Sequence, residues 1–92
     1  MNKNILHNTI NNIENLLIDK NDRYGDSFYK SLNKHGNKAF EVRLEDKINR
    51  MSNLFEKNDT ASDTDESLID TITDIAGYCI LYLTYKKEKG DE

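Results

Sequence analysis

Three groups of side chains in this chain have the types and spacing to do chemistry. Arg43, Lys47 and Arg50 follow i, i+4, i+7, so they share one helix face. A row of cations at that spacing holds phosphate oxygens through charge-assisted hydrogen bonds, or it pairs with carboxylates on neighbouring helices. Asp46 lies beyond them on the same side. Asp70 and Asp74 stand one turn apart beside Tyr78. Two carboxylates next to an aromatic ring suit a ribose or a base edge, Mg²⁺ held partly through water, or the cations just named. The third group is Tyr24-Gly25-Asp26-Ser27-Phe28. Gly25 permits a positive φ or the close approach of a ligand. Ser27 and the free amides of a helix start can receive an anion, and Tyr24 or Phe28 can stack on a base. The competing reading is a tight turn whose two aromatics plug a small core.

Other chemistries are missing from the pattern. His7 and His35 are far apart in sequence, and no Ser-His-Asp or Cys-His arrangement supports a nucleophile. One cysteine, Cys79, excludes an internal disulfide framework and a Cys-based zinc site. The acidic stretch from Asp59 to Glu66 lacks the glycine and spacing of a calcium loop.

The elements that must position these groups are helices. The chain has no proline and 4 glycines. At 100° per residue, Ile5, Leu6, Ile10, Ile13, Leu16 and Leu17 fall within a sector of about 140°, predicting one amphipathic helix from about Lys3 to Ile18. Asp19 to Asn37 opens with turn formers and holds Gly25 and Gly36, so a functional loop is expected there. A short helix starting at Asp26 or Ser27 and ending near Asn33 would face Phe28 and Leu32 to the core. A second long helix runs from about Lys38 to Lys57, with Asn37 as its N-cap. Phe40, Leu44, Ile48, Met51 and Phe55 form its stripe, flanked by Arg43, Lys47 and Arg50. Asn58 to Thr64 is a polar, acidic connection, and Asp63 with Glu66 resembles a cap. The third long helix runs to about Glu88. Its main stripe is Leu68, Ile69, Ile72, Ile75, Ala76, Cys79, Ile80 and Leu83. Asp70, Asp74, Tyr78, Leu81 and Tyr85 form a second stripe beside it. A helix apolar around that much of its girth must be covered twice. The Tyr78/Leu81/Tyr85 side is therefore expected to contact another subunit.

Composition agrees. Ninety-two residues make one domain with a thin core. Apolar residues are only 36% of the chain, which makes self-association an expected source of further burial. With 13 basic and 17 acidic residues, the net charge of −4 gives no general pull toward DNA or an anionic membrane. The longest mostly apolar run, Ile75 to Leu83, is about half of what a membrane span needs. The start, MNKNILHNTI, has no signal-peptide apolar core. A cytoplasmic chain is expected.

The strings KNDRYGDSF, VRLEDKINRMSNL and DESLIDTITDIAGYCIL carry a resemblance. They resemble a small family of phage and prophage proteins, the nucleotide modification associated domain 1 family. The matching positions are Lys20, Asn21, Tyr24, Gly25, Ser27 and Phe28; Arg43, Asp46, Lys47 and Arg50; and Asp65, Glu66, Ser67, Asp70, Thr71, Asp74 and Tyr78. The resemblance covers about residues 19–83. It implies a link to nucleotide metabolism. That family is also distantly similar to the all-α MazG-type nucleotide pyrophosphohydrolases, which hold Mg²⁺ on glutamates of one helix and an E-x-x-D of the next. This chain departs from that pattern, because Glu41 and Glu45 fall on the side of their helix away from Arg43.

The expectation is an all-α bundle of three long helices and a short one, completed by self-association. Its groove would bind a nucleotide-type small molecule through Lys20, Tyr24, Gly25, Ser27, Phe28, Arg43, Asp46, Lys47, Arg50, Asp70, Asp74 and Tyr78. Two functions stay open. One is binding without turnover and with no cofactor required, such as sequestration of a cyclic nucleotide or an ADP-ribose-type immune messenger in an anti-defence role. The other is a Mg²⁺-dependent, MazG-like nucleoside triphosphate pyrophosphohydrolase with the metal on Asp70 and Asp74. The basic groove favours the first.

Overall fold

The computed structural model describes residues 1–57 and 66–90. These residues form α1 (Lys3–Tyr24), α2 (Ser27–His35), α3 (Asn37–Lys57) and α4 (Glu66–Glu88), with no strand among them. The expected class, three long helices and one short, is what the chain adopts. No helix among the described residues is long and apolar enough to cross a membrane. The expected acidic connection from Asn58 to Thr64, with its cap at Asp63, lies outside the described residues.

Asn2 starts α1 by accepting the amides of Asn4 and Ile5 on its side-chain oxygen, at 2.9 and 3.1 Å. The helix does not stop near Ile18. It runs on through Asp19–Tyr24 because Gly25 is the first residue that closes it, at φ 60° and ψ 45°, with its amide on the Asn21 carbonyl. An i, i+4 pair, Arg23 with Asp19 at 2.9 Å, supports that added length. Asp26 is also left-handed, at φ 60°. Aspartate is one of the few side chains that tolerates this conformation. Its carboxylate accepts from the Asn21 amide and leaves α2 without a side-chain cap. Two left-handed residues in a row turn α1 sharply into α2. The expected loop over Asp19–Asn37 is thus almost entirely helical, and α2 ends at Gly36, whose φ is 68°.

α3 and α4 pack antiparallel. The Tyr82 hydroxyl donates to the Asn37 side-chain oxygen at one end of the seam, and Arg50 Nε donates to the Thr71 hydroxyl at the other. Thr71 is among the most buried residues and passes its own proton to the Ser67 carbonyl at 2.7 Å. Between these ends lies an aromatic cluster. Phe40 stacks on Tyr82 with centroids 4.4 Å apart. Phe28 tilts against Tyr78 at 5.2 Å and meets Phe40 edge-on at 6.4 Å. Tyr29 meets Tyr85 edge-on at 5.2 Å, and the Tyr85 hydroxyl donates to Asn33. α2 therefore wedges its buried pair, Phe28 and Leu32, against both long helices.

This cluster gives the tyrosine stripe a partner within the chain. Tyr78, Leu81 and Tyr85 face their own chain, with Tyr78 and Tyr85 against α2 and Leu81 toward α1. All three are half-buried there. The reason is α2, whose two aromatics need flat partners, and the tyrosines of α4 supply them together with hydroxyls that reach Asn33 and Asn37. The stripe expected to be the main core is only partly covered: Leu68 is buried and Ile75, Ala76 and Cys79 are half-buried, but Ile69, Ile72, Ile80 and Leu83 are exposed.

Phe28 carries much of this small core. Phe28→Ala is expected to cost about 3–5 kcal/mol, read as a lowered midpoint in urea unfolding followed by circular dichroism. Burial, a hydrogen bond to Glu88 and the nearby charges of Glu88 and Asp26 push the Tyr29 phenol up to about 12. Its folded value lies above the unfolded value near 10, so its contribution is complete below about pH 10 and is lost as pH rises toward 12. Alkaline titration of stability should fall in that window, and Tyr29→Phe should remove part of the fall.

Candidate functional site

All four helices meet around one cavity of about 240 Å³. Three of them present a pair of side chains one turn apart toward it: Lys20 and Tyr24 from α1, Arg43 and Lys47 from α3, Asp74 and Tyr78 from α4. α2 adds Ser27 and Phe28 at its start, delivered by the left-handed turn at Gly25-Asp26. Gly77 is buried in the wall. A side chain there would place its first carbon 2.9 Å from Leu17 Cδ2, the far end of a flexible side chain, which would have to shift.

The charges on the wall are unbalanced. Lys20, Arg43 and Lys47 stand against a single carboxylate, Asp74, a formal local charge of +2 in a chain whose total is −4. Asp74 bridges the two lysines, with Oδ1 3.2 Å from Lys20 Nζ and Oδ2 3.1 Å from Lys47 Nζ. These groups are between a quarter and two fifths exposed, so each pair is worth about 1 kcal/mol or less. Each ammonium has three donors, and one is used here.

Arg43 has no carboxylate partner among the described residues. Its Nη2 donates to the Ser31 hydroxyl at 3.0 Å. Its guanidinium lies over two rings, 5.3 Å from the centroid of Phe28 and 5.9 Å from that of Tyr78. A guanidinium carries five N–H donors, and the rings attract its charge without using them. A planar cation held this way matches phosphate or carboxylate geometry.

The rest of the wall is apolar, with Ile13, Leu16 and Leu17 of α1 and Leu81 of α4. Periodicity had marked the first three only as an amphipathic stripe. No signal in the sequence separates a residue that fills a core from one that lines a hole in it. Thr73 and Asn21 also reach the wall.

Of the expected site residues, Lys20, Tyr24, Ser27, Phe28, Arg43, Lys47, Asp74 and Tyr78 come together here. Gly25 shapes the turn from the end of α1. Asp46 and Arg50 lie off the cavity, on a separate shallow groove along α3, and Asp70 is exposed off it as well. The donor set does not fit a magnesium ion. No three His, Cys, Asp or Glu side chains gather among the described residues, and both Asp74 oxygens already hold ammonium groups that would repel a divalent cation.

Comparison with known families, with curated proteins and with solved structures finds no match to this chain. The family resemblance therefore rests on the motifs alone.

Asp74→Asn should leave Lys20 and Lys47 uncompensated. Stability should drop by about 1 kcal/mol or less, and the drop should shrink as salt screens the two ammonium groups. Urea unfolding at low and high ionic strength reads both effects.

Proposed function

We propose that this protein binds a phosphate-bearing aromatic small molecule of the nucleotide class and holds it without turnover. The observation that carries the reading is Arg43, a lining cation stacked on Phe28 and Tyr78 with no carboxylate partner among the described residues. Its surroundings split into two halves. Arg43, Lys20 and Lys47 make a cationic wall for phosphate oxygens. Tyr24 and the leucines make an apolar and aromatic wall for a base.

In this reading Asp74 has two roles. Without ligand it holds the two lysines apart and in place. With ligand it exchanges ammonium contacts for a ribose hydroxyl or a base edge, while phosphate takes over the lysines. At about 240 Å³ the cavity lies just under the range of about 300–1,000 Å³ for small-molecule sites. That suits one nucleotide unit, either a mononucleotide or one end of a larger nucleotide-derived messenger. The motif resemblance to nucleotide-associated phage proteins points the same way. The reading places the protein in the cytoplasm as a homo-oligomer.

A thermal-shift series with AMP, ADP, ATP and cyclic AMP tests the proposal. At least one should raise the melting temperature by mass action. Arg43→Ala should abolish the rise, whereas Lys34→Ala, at an exposed cation of α2 off the cavity, should keep it. No rise with any of the four, or a rise that survives Arg43→Ala unchanged, overturns the site. Steady release of phosphate or pyrophosphate in the presence of Mg²⁺ overturns the absence of turnover.

A further inference from the structure

A further groove, of about 470 Å³, lies between α1, α2 and α4. Leu17, Asn21 and Leu81 line both it and the cavity, so they form the wall between the two. The floor of the groove is aliphatic, and its Ile10, Ile18 and Ile80 remain 54%, 56% and 42% exposed. Its rim is acidic. Glu14 and Asp22 come from α1, Asp26 from the turn into α2 and Glu88 from the end of α4. No Lys, Arg or His lines the groove among the described residues, so these four carboxylates leave it with a formal charge of −4.

That charge is uncompensated within the chain. Acids elsewhere find cations: Asp19 pairs with Arg23, Glu41 with Lys38 and Asp74 with two lysines. None of the four rim carboxylates is in an ion pair among the described residues. Asp26 accepts from the Asn21 amide and Glu88 from the Tyr29 hydroxyl, and both donors are neutral. The Tyr29 phenol, raised in part by the charges of Glu88 and Asp26, registers the same negative field.

The rim does not fit a metal ion, because no three His, Cys, Asp or Glu side chains gather among the described residues. The floor calls for apolar surface and the rim for separate cations around it. An amphipathic helix with Lys or Arg beside its apolar stripe offers both, since those side chains lay their stems on apolar surface while the heads reach outward. From Ile10 to Asp22 the α1 wall rises about 18 Å, or about three helical turns. We propose that this groove docks a basic amphipathic helix of a partner protein, with its apolar stripe on Ile10, Ile18 and Ile80 and its cations on Glu14, Asp22, Asp26 and Glu88. The chain's net charge of −4 adds attraction at longer range. This proposal stands apart from the ligand reading, because none of the four carboxylates lines the cavity.

A dye-labelled peptide of Leu and Lys in an amphipathic helical pattern tests it on the full chain by fluorescence anisotropy. The peptide should bind, and added salt should weaken it. A peptide of the same composition with the pattern scrambled should bind about tenfold more weakly or worse. Glu14→Lys combined with Asp22→Lys, and separately Ile18→Asn, should each weaken binding by about tenfold. Asp70→Lys, at an exposed acid off the groove, should not. Circular dichroism melting checks that the variants fold. If they do not, competition decides: spermine, which has charge but no apolar face, should fail to displace the peptide at matched ionic strength. Absence of binding, equal binding of the scrambled peptide, displacement by spermine, or folded Glu14/Asp22 and Ile18 variants of unchanged affinity overturns the proposal.

Discussion

The antiparallel seam between α3 and α4 sets the position of everything else. It is closed by Phe40 stacked on Tyr82 near one end and by Arg50 on the buried Thr71 near the other. Once those contacts fix the register, Arg43 and Lys47 must lie opposite Asp74 and Tyr78. Neither helix lines the cavity alone. The seam aligns a cationic flank with an aromatic and acidic flank, while α2 and the end of α1 supply the remaining walls.

The balance at that site follows from side-chain chemistry. Lysine is a compact, hydrated point charge, and a single carboxylate suffices to bridge two of them. Arginine is planar and weakly hydrated, so it rests on ring faces without a counter-charge. The lysines are therefore partly neutralised, whereas Arg43 has no carboxylate partner among the described residues. Beyond the wall of Leu17, Asn21 and Leu81 the sign reverses, and four carboxylates border an aliphatic groove with no cation among the described residues. The chain thus separates its charges: cations around the cavity, and acids around the groove.

Some of this was legible in the residues. Four helices, the short one included, follow from periodicity and from an absence of proline. The spacing i, i+4 placed Arg43 with Lys47 and Asp74 beside Tyr78 on common faces, and those pairs meet at one cavity, where Lys20 and Tyr24 join them only because α1 runs on past Ile18. Two things were misread. The turn-forming composition of Asp19–Tyr24 suggested a loop, but no residue before Gly25 closes the helix, so α1 continues. The aliphatic stripe of α4 looked like the core, but four of its residues, Ile69, Ile72, Ile80 and Leu83, are exposed, while the tyrosine stripe packs within the chain.

Sequence by itself determined what is local: helix type, the left-handed stop at Gly25, and which residues share a face. Each of those depends on hydrogen bonds and sterics within a few residues. Which face of α4 turns inward was decided only in three dimensions. Both stripes are apolar enough to be buried, and the choice came from α2, whose Phe28 and Tyr29 pack on the rings of Tyr78 and Tyr85, the latter with a hydroxyl that reaches Asn33. The cavity is likewise a tertiary fact, because a gap between helices has no residue of its own.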